Sequence, residues 1–494
     1  MKRPFIKNLG SLEDIAQSAA LKYGFNPFFD QAVERELKKI KAPLLNKKSK
    51  IKDLRDLLWS SIDNIDSLDL DQLEYCEMRP NQEIHVKIAI ADVEHFVRKG
   101  DAIDRHASQN ATSLYTGLHT FPMLPSELSY DLTSLLPDED RLAIVVEYNV
   151  KKDGQIKHGA VYRAWVRNKA KLVYENVGQW LQEEDQTREY SWLTEELKPQ
   201  LRLQHTVALR LKAWRQAQGM LEFESIEPKP VIVEGKIVDL IGRQSTEAHE
   251  IIEEFMVSAN QTIINFLVSH DASTIQRIVR TPERWGRIVE IAAELDFKLP
   301  LDPNALALRE FLADRYQKSP QTFADLSLAI IKLIGRGEYE MVPAGKKSQG
   351  HFGLATGYYT HSTAPNRRYV DLIIQRLVKA ILQESPVPYT RRELIEYAAW
   401  CTERDGAAKK LERFMRKVAA AILLQNKAGQ EFEGIITGAL PKGLFVRLYH
   451  PPAEGMIVKG GQGLDVGEKV LVRLLSTDPL KGFIDFQAIK VLPL

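Results

Sequence analysis

Ser61-Ile-Asp63-Asn-Ile-Asp66-Ser-Leu-Asp69-Leu-Asp71-Gln72-Leu-Glu74, followed shortly by Ile84-His-Val-Lys-Ile-Ala-Ile-Ala-Asp92, is the stretch on which the reading of the fold turns. In its second half Ile84, Val86, Ile88 and Ile90 recur at every other position, the period of a strand with one face buried. The first half sets Asp63, Asp66, Asp69 and Asp71 within nine positions. Carboxylates this dense repel one another unless water or a cation neutralises them. In an extended segment Asp69 and Asp71 project to the same side, and Asp63 can fold back over them to form an oxygen-rich cage for a divalent cation. An acidic surface loop with Asx turns would use the same residues.

Outward from this stretch, residues 142–150 and 231–240 repeat the strand pattern, while residues 247–268, 309–333, 368–382 and 391–424 carry helical periodicity. Strands followed by helices predict an α+β domain over residues 51–428. The first fifty residues read as a small helical appendage, broken near residues 24–27 and at Ala42-Pro43. From Gly429 to the end, short β-rich runs separated by glycine turns suit a five-stranded barrel of the OB type over residues 429–494.

Bulk properties narrow the class. At 494 residues and 44% hydrophobic content, two or three domains with ordinary cores are expected. No apolar run reaches the roughly 18 to 20 residues of a membrane span, and the N-terminus lacks the apolar core of a secretory signal, so a cytoplasmic protein without membrane association is expected. Cys76 and Cys401 stand alone, with no disulfide or zinc spacing. A formal net charge of +1 makes no global case for nucleic acid; the basic character is local, in residues 35–52 and 409–427. Either segment could track a phosphate backbone or form a solvated helix face.

Three ordered blocks resemble the ribonuclease II (RNB) family. Asp63, Asp69 and Asp71 stand at the first, seventh and ninth places of a string similar to its metal-binding signature. The block from Ala111 through Leu136 into the next strand is similar to its most recognisable segment, and Tyr359-Thr-His-Ser-Thr-Ala-Pro-Asn-Arg367-Arg368-Tyr-Val-Asp resembles its helix-entry motif. The C-terminal run resembles an S1 RNA-binding domain, through Gly429 to Gly434, Gly443-Leu-Phe-Val446, Glu454-Gly455-Met456, Val466-Gly467 with Val470, and Ile484-Asp485-Phe486.

The resemblance implies a 3′-to-5′ hydrolytic exoribonuclease that degrades single-stranded RNA to nucleoside 5′-monophosphates, as a monomer, without DNA as substrate. It implies that Asp63, Asp69 and Asp71 hold Mg²⁺ or Mn²⁺, with Asp71 the least dispensable, and that Arg367 stabilises charge on the scissile phosphate. For Arg367 and Arg368 a structural salt bridge near a helix start is the alternative, and it is assigned to Arg368, which also stands among the expected RNA contacts. Tyr115 and Phe223 correspond to rings that clamp the terminal base, with core packing as the alternative. Glu253 corresponds to a contact with the terminal nucleotide, Glu254 to a structural pair, and Glu412 to a residue affecting product release or an i,i+4 surface partner.

The sequence also departs from the family pattern. Gln72 replaces a usual fourth aspartate in the metal set; Ser362, Ala364, Asn366 and Gln375 replace aromatic, serine, aliphatic and histidine residues; and no pair of cold-shock domains precedes the catalytic block. Gln72 motivates a rival expectation, a catalytically silent homologue that binds RNA without cutting it.

Overall fold

The computed structural model describes residues 11–43, 51–183, 188–223, 228–234, 236–242, 245–440 and 443–492. At its centre five strands, Trp59–Asp63, Gln72–Met78, Ile84–Ala91, Asp140–Val150 and Ile156–Val173, pair in succession. Each is antiparallel to the one before. The last is long enough to serve two neighbours. Ile156 to Arg167 pairs with Asp140–Val150, and Asn168 to Val173 then runs parallel to Trp59–Asp63, so the pairings close on themselves. The alternation read at Ile84 to Ile90 is real, but those residues are buried on both faces because helices cover the outside of the ring.

Helices Leu197–Ala217 and Glu247–Ser269 pack against the strands. Helix Tyr369–Leu382 is buried on every side from Tyr369 to Ala380. Its charged residues are therefore paired: Arg376 Nη2 donates to Asp104 Oδ1 (2.7 Å) and to the Val97 carbonyl (2.8 Å), and Lys379 Nζ donates to Asp92 Oδ1 (2.8 Å) and meets Glu94. Helix Arg391–Leu424 forms a spine along which the other parts dock. Helices Trp285–Glu294, Ala305–Lys318 and Pro320–Ile334 enclose a separate small core around Ile288, Leu308 and Phe311.

The C-terminal strands close a barrel in the order Glu431–Leu440, Gly443–Leu448, Glu454–Lys459, Phe483–Val491, Lys469–Asp478. Two of the glycines read in the sequence are steric requirements. A Cβ at Gly434 would lie 2.5 Å from the Arg447 carbonyl oxygen, and one at Gly455 would lie 2.5 Å from the Ile484 carbonyl oxygen. The barrel core is continuous with Ala419, Ala420, Ala421 and Leu424 of the spine helix.

Two expectations are corrected. Residues 231–240 form no single strand; Pro228–Val233 and Lys236–Gly242 pair as a hairpin that turns at Glu234, whose φ is +50°. Residues 309–333 are two helices, because Pro320 cannot continue the first and instead opens the second. The small helical N-terminal segment read in the sequence is present, and Ala16, Ala20 and Phe25 pack it on Leu411, Met415 and Val418 of the spine. Helix Leu197–Ala217 had no counterpart in the sequence reading. Residues 44–50, which carry several lysines of the basic segment, lie outside the described residues.

Candidate active site

The acidic loop leaves the ring at Asp63, the last residue of its strand, and re-enters just before Gln72. Four contacts fix its path. Lys171 Nζ donates to the Ser67 carbonyl (2.7 Å), the Ser134 hydroxyl donates to the Leu68 carbonyl (2.7 Å) and accepts from Leu70 N (3.0 Å), and Ala91 N donates to the Asp71 carbonyl (3.0 Å). Opposite the loop, Pro365-Asn366-Arg367 turns into the buried helix Tyr369–Leu382. Ser113 N donates to the Arg367 carbonyl (3.0 Å), which ties this turn to the hairpin formed by Leu114–Tyr115 and Thr120–Phe121. Carboxylates, arginine and tyrosine come from segments up to three hundred residues apart and meet at one end of the ring.

There Arg367 Nε donates to Asp71 Oδ2 (2.6 Å), and the Tyr115 hydroxyl donates to Asp69 Oδ2 (2.9 Å). Asp71 is buried, while the Arg367 side chain keeps 42% of its surface exposed and can reach a ligand. Burial raises the Asp71 carboxyl to about 7 against the pull of Arg367, and raises Asp63 to about 6 against Ser61 and Arg367. Asp71 Oδ1 and Asp63 Oδ2 are buried without a hydrogen-bond partner. Orphaned carboxylate oxygens carry a desolvation cost that a cation would remove. The open oxygens of Asp63 and Asp71 therefore fit a divalent metal, although among the described residues no group of three or more His, Cys, Asp or Glu side chains, the expected Asp63, Asp69 and Asp71 included, is placed to hold one.

The remaining expected residues separate into those near this centre and those away from it. Gln72 is buried at the head of its strand, paired with Ile90. Tyr115 is 39% exposed, so its ring is open to a stacking partner. Phe223 is partly buried at the edge of the small core of Trp285 and Phe311. Glu253 is exposed on helix Glu247–Ser269, and Glu254 beside it is buried and bound to Arg215 (2.7 Å). Arg368 holds Asp371 through Nε (3.0 Å) and Nη2 (2.8 Å), the structural pairing assigned to it. Glu412 is half-buried on the spine helix.

Several substituted positions carry matched partners. Ser362 donates through its backbone N and hydroxyl to Asn260 Oδ1 (both 2.7 Å), and Gln375 donates to the Ala91 carbonyl (2.8 Å) while accepting from Glu94 N (2.9 Å). Lys171, Thr133 and Ser134 escaped the sequence reading. Each acts on the site through backbone carbonyls or a second side chain, and no local spacing announces such a contact.

A family model for the RNB domain matches residues 51–384. The chain belongs to the RNB family. A second model, the C-terminal S1 domain of RNase II-type exonucleases, matches residues 430–489. Among curated RNB relatives, ribonuclease R of Thermotoga maritima is 27% identical over 93% of this chain and 68% of its own length, and ribonuclease R of Escherichia coli is 29% identical over 93% and 60%. Of solved RNB structures, Mycoplasma genitalium RNase R in complex with ribose methylated single-stranded RNA superposes with a TM-score of 0.88 at 23% identity, covering 99% of this chain and 79% of that one. Yeast Ssd1, a pseudonuclease, superposes at 0.71 and 17% identity over 95% and 60%. At such identities these structural likenesses establish the fold. Ribonucleases of the RNB family are metal-dependent hydrolases.

Proposed function

We propose that the protein is a 3′-to-5′ exoribonuclease that hydrolyses single-stranded RNA to nucleoside 5′-monophosphates with Mg²⁺ or Mn²⁺, acting as a monomer in the cytoplasm. The observation that carries this reading is the pair of buried, unpartnered carboxylate oxygens on Asp63 and Asp71 beside the half-exposed guanidinium of Arg367. A bound divalent cation supplies charge neutralisation for the scissile phosphate and lowers the pKa of the attacking water. Arg367 turns its free nitrogens to the phosphate while Nε stays on Asp71, a two-sided grip that a planar guanidinium can make and an ammonium cannot. Tyr115 offers its ring to the terminal base, and because every base has a π-face this recognises an end without reading sequence. Phe223, Glu253 and Arg368 as RNA contacts, and Glu412 in product release, rest on the family resemblance alone. The S1 barrel adds grip on the strand.

Incubating the protein with 5′-labelled single-stranded RNA and Mg²⁺ or Mn²⁺ tests the reading. A ladder shortening from the 3′ end is expected; discrete internal fragments, or cleavage undiminished in EDTA, would overturn it.

A second reading, an RNA binder without hydrolysis, is favoured by Gln72 and by the direct bond between Arg367 and Asp71. Glutamine keeps a carbonyl oxygen but removes one negative charge from a site whose cation affinity follows charge count. If the first reading holds, Gln72→Asp lowers the divalent concentration needed for half-maximal cleavage. If the second holds, the wild type is inert at every metal concentration. Strong wild-type cleavage at low metal, unaltered by the substitution, would show that position 72 is no ligand.

A further inference from the structure

The two halves of the site, the carboxylate loop and the turn carrying Arg367, are both held by one pair of consecutive residues, Thr133-Ser134. Ser134 is fully buried, and its hydroxyl bonds on both sides of Asp69, donating to the Leu68 carbonyl (2.7 Å) and accepting from Leu70 N (3.0 Å). The next peptide adds a further tie, Leu135 N to the Leu70 carbonyl (2.9 Å). Thr133 is buried too and faces the other way: its hydroxyl donates to Asn366 Oδ1, with the Leu128 carbonyl (2.8 Å) as a second acceptor, and Asn366 immediately precedes Arg367. Asn366 Nδ2 returns a bond to the Thr133 carbonyl (3.4 Å).

We propose that Thr133-Ser134 is a brace of positioning residues that sets the distance between the Asp69 and Asp71 carboxylates and the Arg367 guanidinium. The physical case is over-determination. The Asp71 to Arg367 contact alone cannot fix the spacing, because a single side-chain bond leaves both residues free to turn about it when a phosphate and a cation enter. Backbone held by buried hydroxyls does not yield, since breaking either bond leaves a buried donor or acceptor without water. The role rests on the hydrolytic reading of the site, and the test keeps the two separable.

Ser134→Ala, Thr133→Val and Thr133→Ser would be compared with wild type for cleavage of one labelled RNA, RNA affinity, melting temperature, and Mn²⁺ affinity by electron paramagnetic resonance. Ser134→Ala should lower kcat and Mn²⁺ affinity by about 10- to 100-fold, the usual effect of removing a supporting bond behind metal ligands, with KM and RNA affinity within about twofold. Thr133→Val should lower kcat with Mn²⁺ affinity unchanged, because it acts on the arginine side, and Thr133→Ser, which keeps the hydroxyl, should restore it. If the wild type cleaves and Ser134→Ala retains kcat, or if KM rises and RNA affinity falls in step with the loss of kcat, the brace is overturned. If the wild type does not cleave, the hydrolytic reading fails by itself, and the brace is judged on Mn²⁺: equal affinity of wild type and Ser134→Ala, including no binding by either, overturns it.

Discussion

Asp71 divides its two oxygens between different environments, one bonded to Arg367 and the other buried without a partner. Asparagine at this position keeps the shape but neither the charge that holds Arg367 nor the second ligand oxygen. Asp71→Asn should therefore reduce cleavage by about 10³-fold or more while leaving RNA affinity within about twofold, since phosphate contacts elsewhere dominate binding. Single-turnover cleavage alongside filter binding checks both halves. Tyr115 makes two separable contributions, a ring open to solvent and a hydroxyl bonded to Asp69. Tyr115→Ala should lengthen the smallest product, because stacking of roughly 1 to 3 kcal/mol no longer holds the last short fragments. Tyr115→Phe should leave product length unchanged and affect only the rate, by releasing Asp69. An unchanged end product in the alanine variant would assign Tyr115 to packing.

At the scale of elements, the residues that meet at the candidate site were more legible than the pieces that hold them. Asp63, Asp69, Asp71 and Arg367 stand in two local strings, and a local string can be read. Ile84–Ala91 was legible because its alternation is regular, and the five barrel strands because glycine and proline mark the turns between them. Ile156–Val173 was not, since it changes partner halfway and its burial pattern changes with it. The hairpin at Glu234 and the break before Pro320 each lie inside a stretch whose hydrophobic pattern runs on across the turn.

One turn element carries a pH signature. His351 caps the short helix Phe352–Leu354 by accepting from Leu354 N (3.2 Å), and burial pushes its imidazole down to about 4, with Arg277 and Arg215 acting in the same direction. A depressed histidine contributes stability that is present above its unfolded value, near 6.5, and is lost as pH falls towards 4. Asp63, Asp71 and Glu254 are raised and work with the opposite sign, so the comparison with a variant isolates the histidine. His351→Asn keeps an acceptor for Leu354 and cannot titrate. Between pH 7 and pH 4.5 wild type should lose on the order of 2 to 3 kcal/mol more than the variant, read from urea midpoints. Parallel losses would refute this.

At the scale of the molecule, the spine helix Arg391–Leu424 serves the barrel, the N-terminal helices and the catalytic body at once. Deleting the chain from Gly429 onward should weaken RNA binding and processivity more than the turnover of RNA already bound, because the barrel supplies grip. It should also lower the melting temperature of what remains, since Ala420, Ala421 and Leu424 lose the surface that buries them. Equal RNA affinity in the truncated protein would remove the barrel from the binding role.

The docking of the N-terminal helix has a consequence for how the chain is made. Leu12–Lys22 packs on Leu411, Met415 and Val418, residues that leave the ribosome some four hundred codons later. At about 5 to 20 residues per second the helix waits tens of seconds for its seat. What it buries there is mostly alanine, Ala16, Ala19 and Ala20, which is little for a chaperone or another nascent chain to hold. Asn26 meanwhile bonds Asn110 through its N–H (2.9 Å) and its carbonyl (2.8 Å), an early mooring available as soon as helix Ala102–Asn110 has emerged. Helix Leu12–Lys22 is thus made well before the surface that receives it.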